Sequence, residues 1–294
     1  MSILLDTSAR VVVQGITGKM ATWVVEDLTA YGTNVVAGVV PGRGGRVHAG
    51  RPVFDSVAEA VAETGADTSL IFVPPMGARE ATMEAVEAGI ALTVYPGDGL
   101  PILDAVNLRR AVGRRPGQAL VGPNSPGLIS PGRSKVGFMP SQCFTPGRLG
   151  VISRSGSLSY EVCWRLTSAG IGQSTVVGIG GDPVKGLTIP ECLSLFHEDD
   201  ETDAILLLGE VGGTEEYTLV DYVTTVSDAK PVAAFMVGRM APPGKKMGHA
   251  GALIGGPRES YAAKRDGLRA SGIPFAGSLN ELVPTVQSLL GSAV

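Results

Sequence analysis

His249 is the residue whose surroundings most invite chemistry. It stands in Gly248-His249-Ala250-Gly251, where small neighbours leave an imidazole open to a close-approaching group, and Lys245 and Lys246 lie just upstream. That combination suits a histidine that takes and gives an anionic group such as phosphoryl; a tight loop whose histidine merely caps or packs is the other reading. Three more stretches belong to the same chemistry: Ser153-Arg154-Ser155-Gly156-Ser157, Gly180-Gly181-Asp182 and Glu210. Ser155 and Gly156 open a helix-like run, so their N–H groups and the positive end of the helix dipole suit a phosphate, although a serine there also reads as a plain N-cap. Glu210 ends an apolar strand. A carboxylate so placed can hold one imidazole nitrogen and leave the other nucleophilic, the orienting logic of a catalytic triad; alone it reads as a solvated loop residue. Taken together, the histidine, the carboxylate and the helix start describe a phosphohistidine site.

The elements that must position these groups alternate along the whole chain. Arg10 to Gln14 reads as a strand ending at Gly15-Ile16-Thr17-Gly18, with a helical run from Met20 to Ala30. Strand, glycine-rich turn and helix start present backbone donors to a phosphate, but the turn is not G-x-G-x-x-G. A second strand runs from Asn34 into Pro41-Gly42-Arg43-Gly44-Gly45-Arg46, a phosphate grip or a solvated turn. Further strand–helix pairs follow to Val121, giving β-α-β-α-β-α-β-α-β and so a parallel sheet with right-handed crossovers. From Gly122 to Gly147 glycine and proline break every period, which points to a functional loop or a crossing between domains. The rhythm restarts at Arg148 and runs to Leu290. The expectation is an α/β protein of two three-layer parallel sheets: a first domain over residues 1–125, a connecting loop over 126–147, and a second domain over 148–294. Ligand-binding turns should gather at the C-terminal ends of the strands.

Composition agrees with this class. The 294 residues are 44% hydrophobic, 18% charged and only 5% aromatic, with 41 glycines and 20 prolines, as strands buried on both faces with many tight turns require. A net charge of -4 offers no basic face for nucleic acid. Cys143, Cys163 and Cys192 lie far apart with no C-x-x-C pair, so neither a disulfide framework nor a metal site is suggested. No signal-peptide pattern opens the chain, and no apolar run approaches the ~18 residues of a membrane span. The expectation is a cytoplasmic protein.

Seven motifs, Gln-Gly-Ile-Thr-Gly18, Pro-Gly-Arg-Gly-Gly45, Gly-Pro-Asn-Ser-Pro-Gly127, Ser-Arg-Ser-Gly156, Gly-Ile-Gly-Gly-Asp-Pro183, Gly-Glu-Val-Gly-Gly213 and Gly-His-Ala-Gly-Ala252, stand in an order and spacing that resemble the succinyl-CoA synthetase (succinate–CoA ligase) α-subunit family across essentially the whole chain. The resemblance implies a Rossmann-like CoA-binding domain, then a flavodoxin-like ligase domain, and a tricarboxylic-acid-cycle ligase acting through phosphohistidine and acyl phosphate. It implies that His249 is the phosphorylated residue and Glu210 its orienting carboxylate, with Ser153, Ser155 and Gly156 holding the phosphate. Coenzyme A contacts fall on Thr17, Gly18, Lys19, Met20 and Arg43, and on Pro96, Gly97 and Asp98. Asn124, Ser125 and Pro126 fall beside the bound carboxylate, and Tyr160 matches a substrate-site tyrosine. The chain has no P-loop and no ATP-grasp domain, so ATP or GTP with Mg²⁺ is expected on a partner ATP-grasp β subunit, in an αβ or α2β2 assembly. Departures from the family pattern fall on CoA and acid contacts: Gly18-Lys19-Met20-Ala21, Arg43 for a lysine, Pro96-Gly97-Asp98 for Ile/Thr-Glu, and Asn-Ser-Pro126 for Asn-Cys-Pro. The phosphoryl machinery is spared.

The acid expected by default is succinate. Malate and citrate stay open because relatives activate them, and Gly-Gly-Thr-Glu-Glu-Tyr217 resembles the corresponding stretch of ATP-citrate lyase. Two readings of other kinds compete. A non-catalytic CoA-binding protein would not need Glu210 and His249. A nicotinamide-dependent dehydrogenase wants G-x-G-x-x-G and an acidic residue ending the second strand, where this chain has Val40-Pro41 and an arginine loop.

Overall fold

The computed structural model describes residues 2–245 and 247–291, and divides them into two compact units. The first comprises Leu4–Met139 together with Val184–Leu187. Its elements are β1 (Val11–Gln14), α1 (Lys19–Tyr31), β2 (Val35–Val39), β3 (Val47–His48), β4 (Arg51–Phe54), α2 (Val57–Thr64), β5 (Thr68–Ile71), α3 (Pro75–Glu87), β6 (Leu92–Val94), α4 (Ile102–Gly113), β7 (Ala119–Val121), β8 (Gly127–Ser130) and β9 (Ser134–Gly137). The strands of its main sheet lie in the order β3-β4-β2-β1-β5-β6-β7. All pair in parallel except the edge pair β3–β4. From β4 to β7 this is the order 3-2-1-4-5-6 of dinucleotide-binding folds, whose direction reverses between the first and fourth strands. The sheet is apolar throughout because helices cover both faces: Val11, Val12, Val13, Leu70, Ile71 and Val94 are fully buried.

The second unit comprises residues 2–3, Pro140–Pro183 and residues 188–291. Its elements are β10 (Pro146–Ser153), α5 (Gly156–Ser168), β11 (Gln173–Gly178), α6 (Ile189–Glu198), β12 (Ala204–Gly209), α7 (Thr218–Thr225), β13 (Val232–Met236), α8 (Tyr261–Ala270), β14 (Phe275–Ala276) and α9 (Leu279–Gly291). Its parallel strands run β14-β13-β12-β10-β11. Numbered from β10, that is the flavodoxin order 2-1-3-4-5, reversing between β10 and β12. The α/β expectation of two sheets, Rossmann-like and then flavodoxin-like, is met.

Local detail departs from the sequence reading in two places. Residues 126–147, expected to form a connecting loop, contain the antiparallel hairpin β8–β9, with Gly127 opposite Gly137. The backbones approach there so closely that a Cβ on either glycine would collide with the other strand. Strands of four residues flanked by glycine and proline carry no periodic signal, which is why the hairpin escapes a pattern search. The short β3 and β4 were hidden in the same way between Arg46 and Asp55. Pro75, for its part, occupies the first turn of α3, where its missing N–H costs nothing.

Candidate active site

Some of the expected site residues follow strands that border a reversal of strand order: the Thr17–Met20 turn follows β1, Ser153 to Gly156 follow β10, and Glu210 follows β12. In the second unit, β10 ends at Ser153 and α5 begins at Gly156. Ser155 is the N-cap, yet its side chain makes no capping bond and no acidic residue sits in the first turn. The Ser153 hydroxyl instead closes the turn, accepting from Ser155 N at 3.2 Å and donating to Ser155 O at 2.7 Å. Three other helices are closed by side chains: Ser56 caps α2, Ser260 caps α8, and Glu191 reaches back to Thr188 N on α6. The first amides of α5 therefore have neither a side-chain oxygen nor a carboxylate to satisfy them, and an anion would do so.

Glu210 follows β12 directly, and only 4% of its side chain is exposed. Its carboxylate lies 2.9 Å (Oε2) and 3.0 Å (Oε1) from His249 Nδ1. The histidine side chain is 29% exposed. With Nδ1 held by the carboxylate as its N–H donor, Nε2 carries the lone pair, and among the described residues it has no hydrogen bond. A Cβ on Gly181 would overlap the imidazole, so the ring lies flush against that backbone. A Cβ on Gly251 would come within 2.7 Å of Gly181 O and 2.8 Å of an Arg154 guanidinium nitrogen. The glycines around His249 thus form the slot that lets ring, carboxylate and guanidinium close up.

Behind Glu210 lies a set of buried charges that the sequence reading missed. Arg154 donates to Glu210 Oε1 at 3.1 Å, Glu216 Oε1 at 2.6 Å and Gly212 O at 3.0 Å. Lys264 donates to Glu216 Oε2 at 2.5 Å and to the carbonyls of Glu210 and Gly212, each at 2.8 Å. Glu216 also accepts from Glu210 N at 3.3 Å. Burial pushes the Glu216 carboxyl up, but Arg154 and Lys264 outweigh it and hold the group below its ordinary range. Burial pushes Lys264 down despite Glu216. For Arg154 the two glutamates win over burial and raise it. Lys264 left a trace in the sequence: with Tyr261 and Leu268 it falls on the buried stripe of α8, where a lysine needs a partner. Glu216 left none, because the turn at 215–217 precedes α7 without a period of its own.

Tyr160 lies on the second turn of α5, partly buried, and burial pushes its hydroxyl up to about 12, so it stays a neutral donor at ordinary pH. Lys245 is exposed; Lys246 lies outside the described residues.

The remaining expected residues belong to the first unit. Thr17 and Gly18 end the turn after β1, and Lys19 and Met20 open α1, whose N-cap Gly18 also makes no side-chain bond. Gly15 starts this turn at φ +76, and a Cβ there would strike the backbone carbonyl of Phe72 after β5. Only glycine permits that approach. Arg43 is exposed after β2, in a loop tied down by Gly44 N donating to Asp55 at 2.8 Å. Pro96, Gly97 and Asp98 follow β6, and Asn124, Ser125 and Pro126 follow β7. The two loops are joined: Asn124, in the left-handed region at φ 53, donates its N–H to Gly97 O at 2.7 Å. The Ser125 hydroxyl accepts from Gly127 N at 2.9 Å. No group of three or more metal-ligating side chains occurs among the described residues, and none of their helices is long and apolar enough to cross a membrane.

Two sheets with these strand orders, a glycine-rich turn after β1 in the first and a carboxylate-held histidine in the second, are the frame of a CoA-dependent ligase subunit, and comparison with known proteins agrees. Residues 6–95 match the CoA binding domain and residues 152–273 the CoA-ligase domain. Over 290 residues the chain is 51% identical to succinate–CoA ligase [ADP-forming] subunit alpha 1 of Archaeoglobus fulgidus, covering 99% of each protein. It is 45% identical over 296 residues to malate–CoA ligase subunit alpha of Methylorubrum extorquens, covering 100% of both. The chain belongs to the succinate–CoA ligase α-subunit family. Among solved structures it superposes on ATP citrate lyase from Methanothrix soehngenii, in complex with citrate and coenzyme A, with a TM-score of 0.90 at 22% identity. That likeness is one of fold, over 99% of this chain and 51% of the longer protein.

Proposed function

We propose that this ligase subunit activates succinate by way of phosphorylated His249. Nε2 attacks the terminal phosphorus of ATP, the N–P bond forming as the bond to the ADP oxygen breaks. A carboxylate oxygen of the acid then takes the phosphoryl group from Nε2. Finally the CoA thiolate attacks the acyl carbon, forming the thioester and releasing phosphate. The observation that carries this reading is the 2.9 Å contact between His249 Nδ1 and the buried Glu210 carboxylate, which fixes the tautomer with Nε2 as nucleophile. The uncapped start of α5 at Ser155 and Gly156, beside the Ser153 turn, supplies the donors for the phosphoryl oxygens.

In this reading Thr17 to Met20, Arg43 and Pro96 to Asp98 hold CoA, while Asn124 to Pro126 and Tyr160 lie at the acid. The nucleotide and its Mg²⁺ belong to a partner β subunit of the ATP-grasp kind, and the three buried, unpaired cysteines suit a cytoplasmic setting. The domain division follows the same logic, with CoA work before residue 125 and phosphoryl work after 148. Malate is the second candidate acid, since a full-length relative at 45% identity is named malate–CoA ligase subunit alpha.

Incubating the αβ complex with γ-labelled ATP should place acid-labile label on His249, and His249→Ala should carry none. Equal labelling of the variant would sink the mechanism. ADP release with CoA present, measured against succinate, malate and citrate, then identifies the acid; release with none of the three would reject this substrate class.

A further inference from the structure

The phosphohistidine reading uses His249 and Glu210 and leaves unexplained why three more ionised side chains are sealed behind them. Arg154 is 4% exposed, Glu216 and Lys264 are fully buried, and such burial is costly unless each charge is met. Here the charges are met in a particular pattern. Each contact of Lys264 and Glu216 ends either on another member of the set or on the backbone of residues 210–212, the segment carrying the Glu210 side chain. Arg154 alone spans the set: one nitrogen reaches Glu216 and the Gly212 carbonyl, and the other reaches the catalytic-side carboxylate at Glu210 Oε1. Glu210 therefore has a cation on one side and an imidazole on the other.

We propose that Arg154 is a positioning residue for phosphoryl transfer, anchored by Glu216 and Lys264 so that its guanidinium holds the Glu210 carboxylate aimed at His249 Nδ1. A carboxylate at this depth that loses its cation turns away towards other donors. Turned away, it no longer fixes the imidazole tautomer. The groups facing Glu210 are Arg154 from the β10–α5 turn, His249 from the loop after β13, Lys264 from α8 through the Glu210 carbonyl, and Glu216 through the Glu210 N–H. Of these, Arg154 is the cation in direct contact with the carboxylate. Buried charge networks that serve stability alone tolerate replacement as a set. This one should not, because one of its contacts ends on the group that holds the histidine.

The proposal rests on His249 being phosphorylated, and the test keeps the two apart. The αβ complexes of wild type, His249→Ala, Arg154→Lys, Arg154→Met and the charge-balanced double variant Arg154→Met/Glu216→Gln are labelled with γ-labelled ATP. CoA binding and the thermal midpoint are recorded on the same samples. Absence of histidine label in wild type would reject the functional reading itself. With wild type labelled, the Arg154→Met and double variants should retain CoA binding but label at least about tenfold more slowly, as loss of a charge-assisted contact to the orienting carboxylate implies. Arg154→Lys, which keeps the cation, should lie between. Either of two results would overturn the role: labelling at the wild-type rate in the double variant, or a loss no smaller in Arg154→Lys than in Arg154→Met that follows the fall in thermal midpoint, which marks a merely structural arginine.

Discussion

At the scale of the residue, the centre is one imidazole fixed from two directions. Glu210 holds its Nδ1 edge, and the backbone at Gly181 lies against its Cε1–Nε2 edge. Replacing Glu210 by Gln keeps the shape and removes the charge that orders the tautomer. By the precedent of orienting carboxylates, labelling of His249 should slow by roughly 10²- to 10⁴-fold, as rapid-quench measurement of phosphohistidine would show; an unchanged rate would mean the contact is incidental. Gly181→Ala tests the other edge. The new methyl lands on the ring, so the imidazole must leave its place near Glu210. A displacement of about 1 Å is enough to cost ~10²-fold in rate, while the fold loses about 1–3 kcal/mol to overpacking. The expected signature is a labelling defect far larger than the fall in thermal midpoint. His249 and Glu210 were legible in sequence because small neighbours and strand-end positions are local signals. Arg154 was visible only as a letter inside Ser-Arg-Ser-Gly156. Its importance arises from Glu210 and Glu216, which are 56 and 62 positions away and meet it only in the folded sheet.

At the scale of the element, strands and helices with a period were legible, and those too short to have one were not. The alternation of apolar strands with helices defined both sheets, whereas β8–β9 and β3–β4 stayed hidden among glycines and prolines. The buried charges bind elements together: the β10–α5 turn, the turn before α7, and α8 meet through Arg154, Glu216 and Lys264. This seam makes stability depend on pH with a definite sign. Arg154 and Lys264 hold the folded Glu216 carboxyl below its ordinary value of 4.5. Its stabilisation is therefore complete above that value and is lost as pH falls through the lower folded value. The thermal midpoint should drop as pH falls below about 4.5. Glu216→Gln leaves buried Lys264 without a carboxylate and Arg154 with Glu210 alone, and should cost about 3–5 kcal/mol at neutral pH, with a shallower fall into acid than wild type. Parallel pH curves for the two proteins would refute the assignment.

At the scale of the whole molecule, the two units divide the expected chemistry. The residues proposed for phosphoryl transfer, from Ser153 to Lys264, lie within the second unit, and those proposed for CoA, from Thr17 to Asp98, within the first. The departures from the family pattern at Lys19, Arg43, Gly97 and Ser125 all fall in the first unit. The Asn124–Gly97 hydrogen bond joins the 96–98 and 122–126 loops, so in the proposed reading the CoA loop and the acid loop are mechanically linked. The two kinds of variant should therefore separate kinetically. In the αβ complex, Arg43→Ala removes a cation from the CoA loop and should raise the KM for CoA by on the order of tenfold, as loss of one charge-assisted contact to a phosphate implies, without slowing ATP-driven labelling of His249. Ser125→Cys replaces the hydroxyl that accepts from Gly127 N with a weaker acceptor. It should change the KM for the acid, and the ranking of succinate against malate, again with labelling intact. Single-turnover labelling and steady-state thioester formation on the same preparations distinguish the steps. If either first-unit variant slows labelling as strongly as it slows thioester formation, the division fails and the two units act on the phosphoryl group together.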